Sequence, residues 1–67
     1  MHRYRCYLMD GIGRSSDLRS FDARNDAEAI SLGIAWFMAK PTVYERIEIW
    51  RVFDLIYVDE RSSEKYG

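Results

Sequence analysis

Apolar and polar positions alternate with a period of two near the start of the chain. The stretch Tyr4–Met9, YRCYLM, is rich in β-forming residues and predicts a first strand. The segment Leu18–Ala23, LRSFDA, is again extended in character but has few apolar residues, which is typical of an edge strand. Because side chains alternate across a strand, the first strand has two sets of three: Tyr4, Cys6 and Leu8 on one face, and Arg5, Tyr7 and Met9 on the other.

A helical period replaces this alternation at Asn25 and predicts a helix that ends at residue 39 or 40. Asn25 is the expected N-cap, and Glu28 stands at the third helical position, a variant of the capping box. Asp26 lies near the positive end of the helix dipole. Pro41 ends the helix because proline disfavours helical geometry in the preceding residue. The apolar spacing predicts a buried helix face of five residues: Ala27, Ile30, Ile34, Phe37 and Met38.

Two further strands are predicted in the last third of the chain. RIEIW (46–50) and DLIYVD (54–59) have strand character, and a tight turn near Arg51–Asp54 would join them. A single bent strand over VFDLIYV (52–58) fits the same residues, so a hairpin and a bent strand both stay open for residues 51–58. Residues 60–67 are polar and predict a frayed tail beyond an ordered core of about residues 3–59.

The predicted element order is therefore β-β-α-β-β in one α+β domain over residues 1–67. Short connections and right-handed crossovers favour a single four-stranded antiparallel sheet in the order 2-1-3-4, with the helix packed on one face. The first and third strands would be central.

The size of the chain favours self-association. A chain of 67 residues buries only about 60% of its unfolded surface, and small domains usually add a disulfide, a metal or a partner chain. Cys6 is the only cysteine and His2 the only histidine, so an intramolecular disulfide and a four-ligand zinc site are both excluded. We therefore expect no metal and no cofactor, and a homodimer.

Charge and hydropathy limit the other partners. Residues 1–24 carry a net charge of +2 and residues 25–67 a net charge of −3, with no polybasic tract, which disfavours nucleic acid as a partner. No apolar run reaches the ~18 residues of a membrane-spanning helix, and the start lacks the apolar core of a signal peptide. The unpaired Cys6 fits a reducing compartment, and we expect a cytoplasmic protein.

The segment Met9–Asp17, MDGIGRSSD, has the densest set of polar groups in the chain. Its glycines are separated by one residue and no lysine follows, unlike a phosphate-binding P-loop. Its acids also lack the spacing of a calcium-binding EF-hand loop. Because Asp-Gly between two strands is a strong hairpin signal, we predict a chain-reversing connection here.

No residue of the chain stands out as catalytic. A nucleophile such as Ser15, Ser16 or Cys6 would need a positioned base, and His2 lies at the terminus. Cys6 falls on the predicted core face, where cysteine acts as a small hydrophobic residue. We therefore expect a protein that is not an enzyme.

Two candidate interaction surfaces follow from the pattern. The helix carries a second apolar stripe that could dock on a partner, since exposed apolar patches mark interaction sites: Ala29, Leu32, Gly33 and Trp36. The alternative is that the loop at Pro41–Tyr44 covers this stripe. The outer face of the sheet should carry an aromatic and charged cluster, either ordinary cross-strand pairs or a stacking platform: Arg5, Tyr7, Glu48 and Trp50.

Three stretches of the chain resemble a group of short uncharacterised bacterial proteins. The resemblance rests on YRCYLMDGIG, NDAEAI and IEIW, and it covers most of residues 3–58. It implies the same fold and a bacterial cytoplasmic origin, but no activity. The group's pattern has a glycine in the last turn, where this chain has Arg51–Phe53. A more distant resemblance is to the antitoxin half of hic toxin–antitoxin pairs, whose Pro-rich segment before the helix is missing here.

The sequence thus predicts a non-catalytic protein–protein interaction module that forms a homodimer through the helix stripe or binds another protein. An edge-strand dimer through the second strand is an open alternative. A regulatory module that is antitoxin-like or binds nucleic acid on the outer sheet face is the alternative function.

Overall fold

The computed structural model describes residues 1–11, 15–40 and 44–60. The four strands form one antiparallel sheet in the order β2-β1-β3-β4, which confirms the predicted α+β fold, its strand order and the edge position of the second strand. One helix packs on one face of this sheet. The elements in chain order are β1 (His2–Asp10), β2 (Ser15–Ala23), α1 (Asp26–Ala39), β3 (Tyr44–Arg51) and β4 (Asp54–Glu60).

The register of the central strands fixes which side chains share a face. In the β1–β3 pair, Cys6 is opposite Ile49 and Tyr7 is opposite Glu48. Five helix-facing side chains of these two strands are fully buried, as the alternation predicted: Tyr4, Cys6, Leu8, Ile47 and Ile49. These large side chains already fill much of the space between the sheet and the helix.

The buried side chains of β1 and β3 decide which face of α1 can pack on the sheet. The helix face predicted from the sequence was partly wrong. Ala27 is exposed, Met38 is 73% exposed, and Ile30 and Ile34 are only half-buried. Phe37 is buried as predicted, and the other buried positions of the helix are Ala29 and Gly33. Small residues are needed here because a Cβ at Gly33 would lie 2.5 Å from Cδ1 of Ile49. The helix therefore presents its small residues to the sheet, and several of its larger side chains lie at the sides of the contact.

The start of α1 is capped as predicted, with one difference. The Asn25 side chain accepts a hydrogen bond from the backbone N–H of Glu28 at 2.8 Å. The Glu28 carboxylate accepts from the backbone N–H of Arg24 at 2.7 Å, one residue before the N-cap. This hydrogen bond is the largest of the effects that lower the pKa of Glu28. A second hydrogen bond, from the Arg24 side chain, acts in the same direction.

A buried tyrosine joins the start of the helix to the two central strands. The Tyr4 hydroxyl donates to Oδ1 of Asp26 at 2.8 Å, and Nη1 of Arg51 donates to the same oxygen at 2.9 Å. Desolvation is the largest cause that raises the pKa of the Tyr4 hydroxyl, and the hydrogen bond to Asp26 is the second. The carboxylate thus satisfies a hydroxyl whose ring is fully buried.

The last part of the chain is a hairpin, so the bent-strand alternative was wrong. Arg51 pairs with Asp54, and Val52 and Phe53 form the turn. Val52 has φ 56°, in the left-handed region that β-branched residues rarely occupy. Glu60 is the last residue of β4, although we predicted it to begin the tail. The rest of the predicted tail, residues 61–67, lies outside the described residues.

The glycine segment connects two neighbouring strands, as predicted. β1 and β2 pair in antiparallel fashion, and β2 begins at Ser15, three residues before the predicted start. Residues 12–14 lie outside the described part of the chain, as do residues 41–43 of the loop that would cover the helix stripe. Within the described ranges, no helix is long and apolar enough to span a membrane.

Candidate interaction surfaces

Within residues 1–11, 15–40 and 44–60, one face of the sheet has no helix on it. We call this surface the open sheet face and define it by the strand side chains that point away from α1. The register assigns thirteen described residues to it: Arg3, Arg5, Tyr7, Met9, Leu18, Ser20, Asp22, Arg46, Glu48, Trp50, Leu55, Val58 and Glu60.

The structure brings together all four residues that the sequence placed on this face. Arg5 is opposite Trp50 and Tyr7 is opposite Glu48 in the β1–β3 register. The indole Nε1 of Trp50 donates to Oε1 of Glu48 at 3.1 Å. Together with Met9, Val52 and Phe53, these four side chains line a shallow depression of about 310 Å³.

The charges of the open sheet face balance one another. Arg46 bonds Glu48 at 3.0 Å and also pairs with Glu60, and Arg3 pairs with Asp22 at 2.7 Å. The hydrogen bonds from Arg46, first to Glu48 and then to Glu60, raise the pKa of the guanidinium. With Arg5 included, the described residues of this face carry three basic and three acidic side chains.

Exposed apolar side chains concentrate on the same face and at its edge. Eight large hydrophobic residues are exposed in the described part of the chain, and five of them lie on the open sheet face or in the adjoining turn: Leu18, Val52, Phe53, Leu55 and Val58. Phe53 is the most prominent, with 86% of its surface exposed. The sequence did not indicate these residues as a surface. Alternation in DLIYVD would place Leu55 and Val58, three residues apart, on opposite faces, and a shift in the β3–β4 register between Ile49 and Trp50 brings them to the same face.

The helix stripe predicted from the sequence is not a continuous exposed surface. Ala29 and Gly33 are buried against the sheet, which corrects their assignment to a docking surface. Leu32 is 48% exposed and Trp36 is half-buried. The physical reason is the close approach of Gly33 to Ile49, which turns the small residues of the stripe inward.

Three residues of the predicted stripe form one wall of a groove between α1 and the edge strand. The groove has a volume of about 400 Å³, and we call it the helix groove. Its lining combines side chains of β2 and of the helix: Arg19, Phe21, Leu32, Gly33, Ala35, Trp36 and Ala39.

Of the three nucleophiles considered from the sequence, Cys6 is the one whose side chain the structure describes. Cys6 is fully buried, and burial raises the pKa of its thiol to about 12 despite the opposing charge of Arg19. His2 is exposed at the start of β1. The structure does not describe the side chains of Ser15 and Ser16. Among the described residues, no three His, Cys, Asp or Glu side chains are placed to hold a metal ion.

Comparisons with protein-family models, with curated proteins and with solved structures found no match to this chain. The open sheet face and the helix groove are the candidate interaction sites of the described residues.

Proposed function

We propose that this chain is a non-catalytic protein–protein interaction module that forms a homodimer through the open sheet face. The observation that carries the proposal is the coincidence, on one face, of exposed apolar side chains and of balanced charge. Apolar patches that are rimmed by polar residues are typical of protein interfaces.

The arrangement of charges favours a second copy of the chain as the partner. In a two-fold dimer the same patch meets itself, so an interface must be complementary to its own surface. A face with an excess of one sign would repel its own copy. The open sheet face has equal numbers of both signs among its described residues, so Arg5 of one copy can approach Glu48 of the other without a net repulsion.

The β3–β4 turn supplies an aromatic anchor for such an interface. Phe53 is 86% exposed, and the neighbouring Val52 is held at φ 56°. Aromatic residues at the centre of interfaces often carry a large part of the binding energy. Strained backbone tends to persist where it serves a function. Burial of Phe53 and Leu55 on dimerisation would offset the cost of this turn.

Sedimentation velocity tests the proposal on three proteins. We expect the wild-type chain to be dimeric at about 100 μM, and Leu55→Glu to be monomeric because it places a charge in the apolar part of the interface. Met38→Glu is the matched control, since Met38 is 73% exposed on the helix, away from the sheet. It should remain dimeric.

Leu32→Glu separates this dimer from one that uses the helix stripe. A dimer through the open sheet face tolerates the change, whereas a dimer through the helix loses affinity. A wild-type chain that stays monomeric, or a dimer that Leu32→Glu dissociates and Leu55→Glu does not, contradicts the proposal.

A single-stranded nucleic acid is a second candidate partner for the same face. The observation in its favour is that Tyr7 and Trp50 line one depression beside Arg5, as in platforms on which bases stack. The balanced charge weakens this candidate because it offers little counterion release. Binding of an oligonucleotide at low salt that is lost at higher salt, and that Trp50→Ala abolishes, would favour it over the homodimer.

A further inference from the structure

We infer that the helix groove is a binding site for a small amphiphilic carboxylate, a molecule with an apolar chain or ring and one carboxylate group. The groove lies on the helix side of the sheet, opposite the open sheet face, so the inference is independent of the proposed dimer. A cavity of about 400 Å³ is within the range of small-molecule sites, roughly 300–1,000 Å³.

The groove lies where the helix covers the edge strand only in part: Ala23 of β2 is fully buried, whereas Phe21 is half-buried and lines the open space. At Gly33 the helix lies so near the central strand β3 that a Cβ there would stand 2.5 Å from Cδ1 of Ile49. On the β2 side, small helix residues stand opposite Phe21, and the space between them is left open. Ala35 and Ala39 leave room there that longer side chains would fill.

The lining of the groove is mostly apolar and suits a hydrocarbon chain or ring. Phe21 stacks on Tyr4 with the ring centroids 6.0 Å apart, which holds one wall in place. Leu32 and Trp36 form the opposite wall and are partly exposed. A bound apolar group would shield these two side chains from water.

Two cations stand at this apolar surface and select a negative head group. The Arg19 guanidinium carbon lies 5.5 Å from the centroid of the Trp36 ring, and the Lys40 ammonium lies 5.4 Å from it. Lys40 is already paired with Asp17 at 3.4 Å. Arg19 has no carboxylate partner among the described residues, so its guanidinium donors are available to a ligand carboxylate.

The two tryptophans of the chain allow a direct test by NMR. The indole N–H signal of Trp36 reports the helix groove and that of Trp50 reports the open sheet face. Three ligands share one alkyl chain and differ in head group: octanoate, octanol and octylammonium. We expect octanoate to shift the Trp36 signal saturably and to leave the Trp50 signal in place.

The head group should decide the affinity. We expect octanol to bind at least about fivefold more weakly than octanoate, and octylammonium more weakly still, because only octanoate pairs with Arg19. Arg19→Gln should bring octanoate to the affinity of octanol. Arg3→Gln is the matched control, because it removes the same charge from the opposite face of the sheet, and it should leave octanoate binding unchanged.

A variant that fills the groove tests the apolar part separately. Ala35 is exposed on the helix, so Ala35→Leu should fold normally and block all three ligands. The inference is overturned if octanoate causes no saturable shift of Trp36 up to about 10 mM, or if Trp50 shifts in parallel. It is also overturned if octanol binds as well as octanoate, or if Arg19→Gln and Arg3→Gln behave alike.

Discussion

The guanidinium of Arg5 donates a hydrogen bond at 3.1 Å to the carbonyl oxygen of Val52, in the turn between β3 and β4. Val52 has φ 56°, a conformation in which the Cβ of a β-branched residue crowds its own backbone. The hydrogen bond from Arg5 therefore stabilises the turn, whose first residue, Val52, is unfavourable in this conformation.

Val52→Gly should stabilise the protein because glycine adopts positive φ without this crowding. We expect the free energy of unfolding to rise by about 1 kcal/mol, the cost of the left-handed conformation less the entropy that glycine adds to the unfolded chain. Urea denaturation measures the change. Val58→Gly, in the regular part of β4, is the control and should destabilise the protein; a loss of stability in Val52→Gly would contradict the prediction.

Gly33→Ala should destabilise the protein through a single contact. The new Cβ would lie 2.5 Å from Cδ1 of Ile49, and we expect a loss of about 1–3 kcal/mol. Ile49→Val removes the atom that clashes. The double variant should therefore be more stable than the sum of the two single changes, and a double-mutant cycle measured by thermal denaturation will show it. Simple additivity would mean that another contact limits the approach of the helix.

Asp26→Ala should lower the free energy of unfolding by about 1–2 kcal/mol. It removes the acceptor of the hydroxyl of Tyr4, whose ring is fully buried. Asp54→Ala is a matched control, since Asp54 also pairs with Arg51 but at 3.8 Å and with a side chain that is 73% exposed. Its effect should stay below about 0.5 kcal/mol. Equal losses in the two variants, measured by urea denaturation, would show that the Tyr4 bond adds nothing.

The buried thiol of Cys6 predicts a loss of stability at alkaline pH. Its pKa is about 12 in the folded protein, against an ordinary value of 9.0. Below pH 9 the thiol is protonated in both the folded and the unfolded protein, so its ionisation does not reduce the free energy of unfolding. Above pH 9 the unfolded thiol ionises first, so the free energy of unfolding falls by up to about 1.4 kcal/mol per pH unit until the folded thiol also ionises.

Cys6→Ala should show a shallower alkaline decline than the wild-type protein in denaturation curves recorded from pH 8 upward. The raised pKa of Tyr4 acts in the same direction in both proteins and does not explain a difference between them. Identical slopes would mean that the thiol is accessible to water in the folded state. Slow reaction of Cys6 with a thiol reagent at neutral pH is the companion measurement.

The elements of this fold are set by local patterns that a sequence shows directly. The period of two in β1 and β3 placed Tyr4, Cys6 and Leu8 against the helix, because side chains alternate across a strand whatever they pack on. Asn25 determined where the helix begins, since a cap is a contact between residues three apart. The outer-sheet cluster followed from the same alternation, and the structure brings its four residues together.

Tertiary contacts decided what local patterns leave open. Several faces of α1 are apolar. The bulk of Ile49 on the opposing strand leaves room only for a residue without a Cβ at Gly33, and Ala29 is buried on the same side of the helix, whereas Ala27 and Met38 are exposed. The hairpin at Val52 has no turn signal of its own, because it depends on pairing between β3 and β4 and on the bond from Arg5. The helix groove likewise arises from where the helix sits over the sheet, a distance between elements that a one-dimensional pattern does not contain.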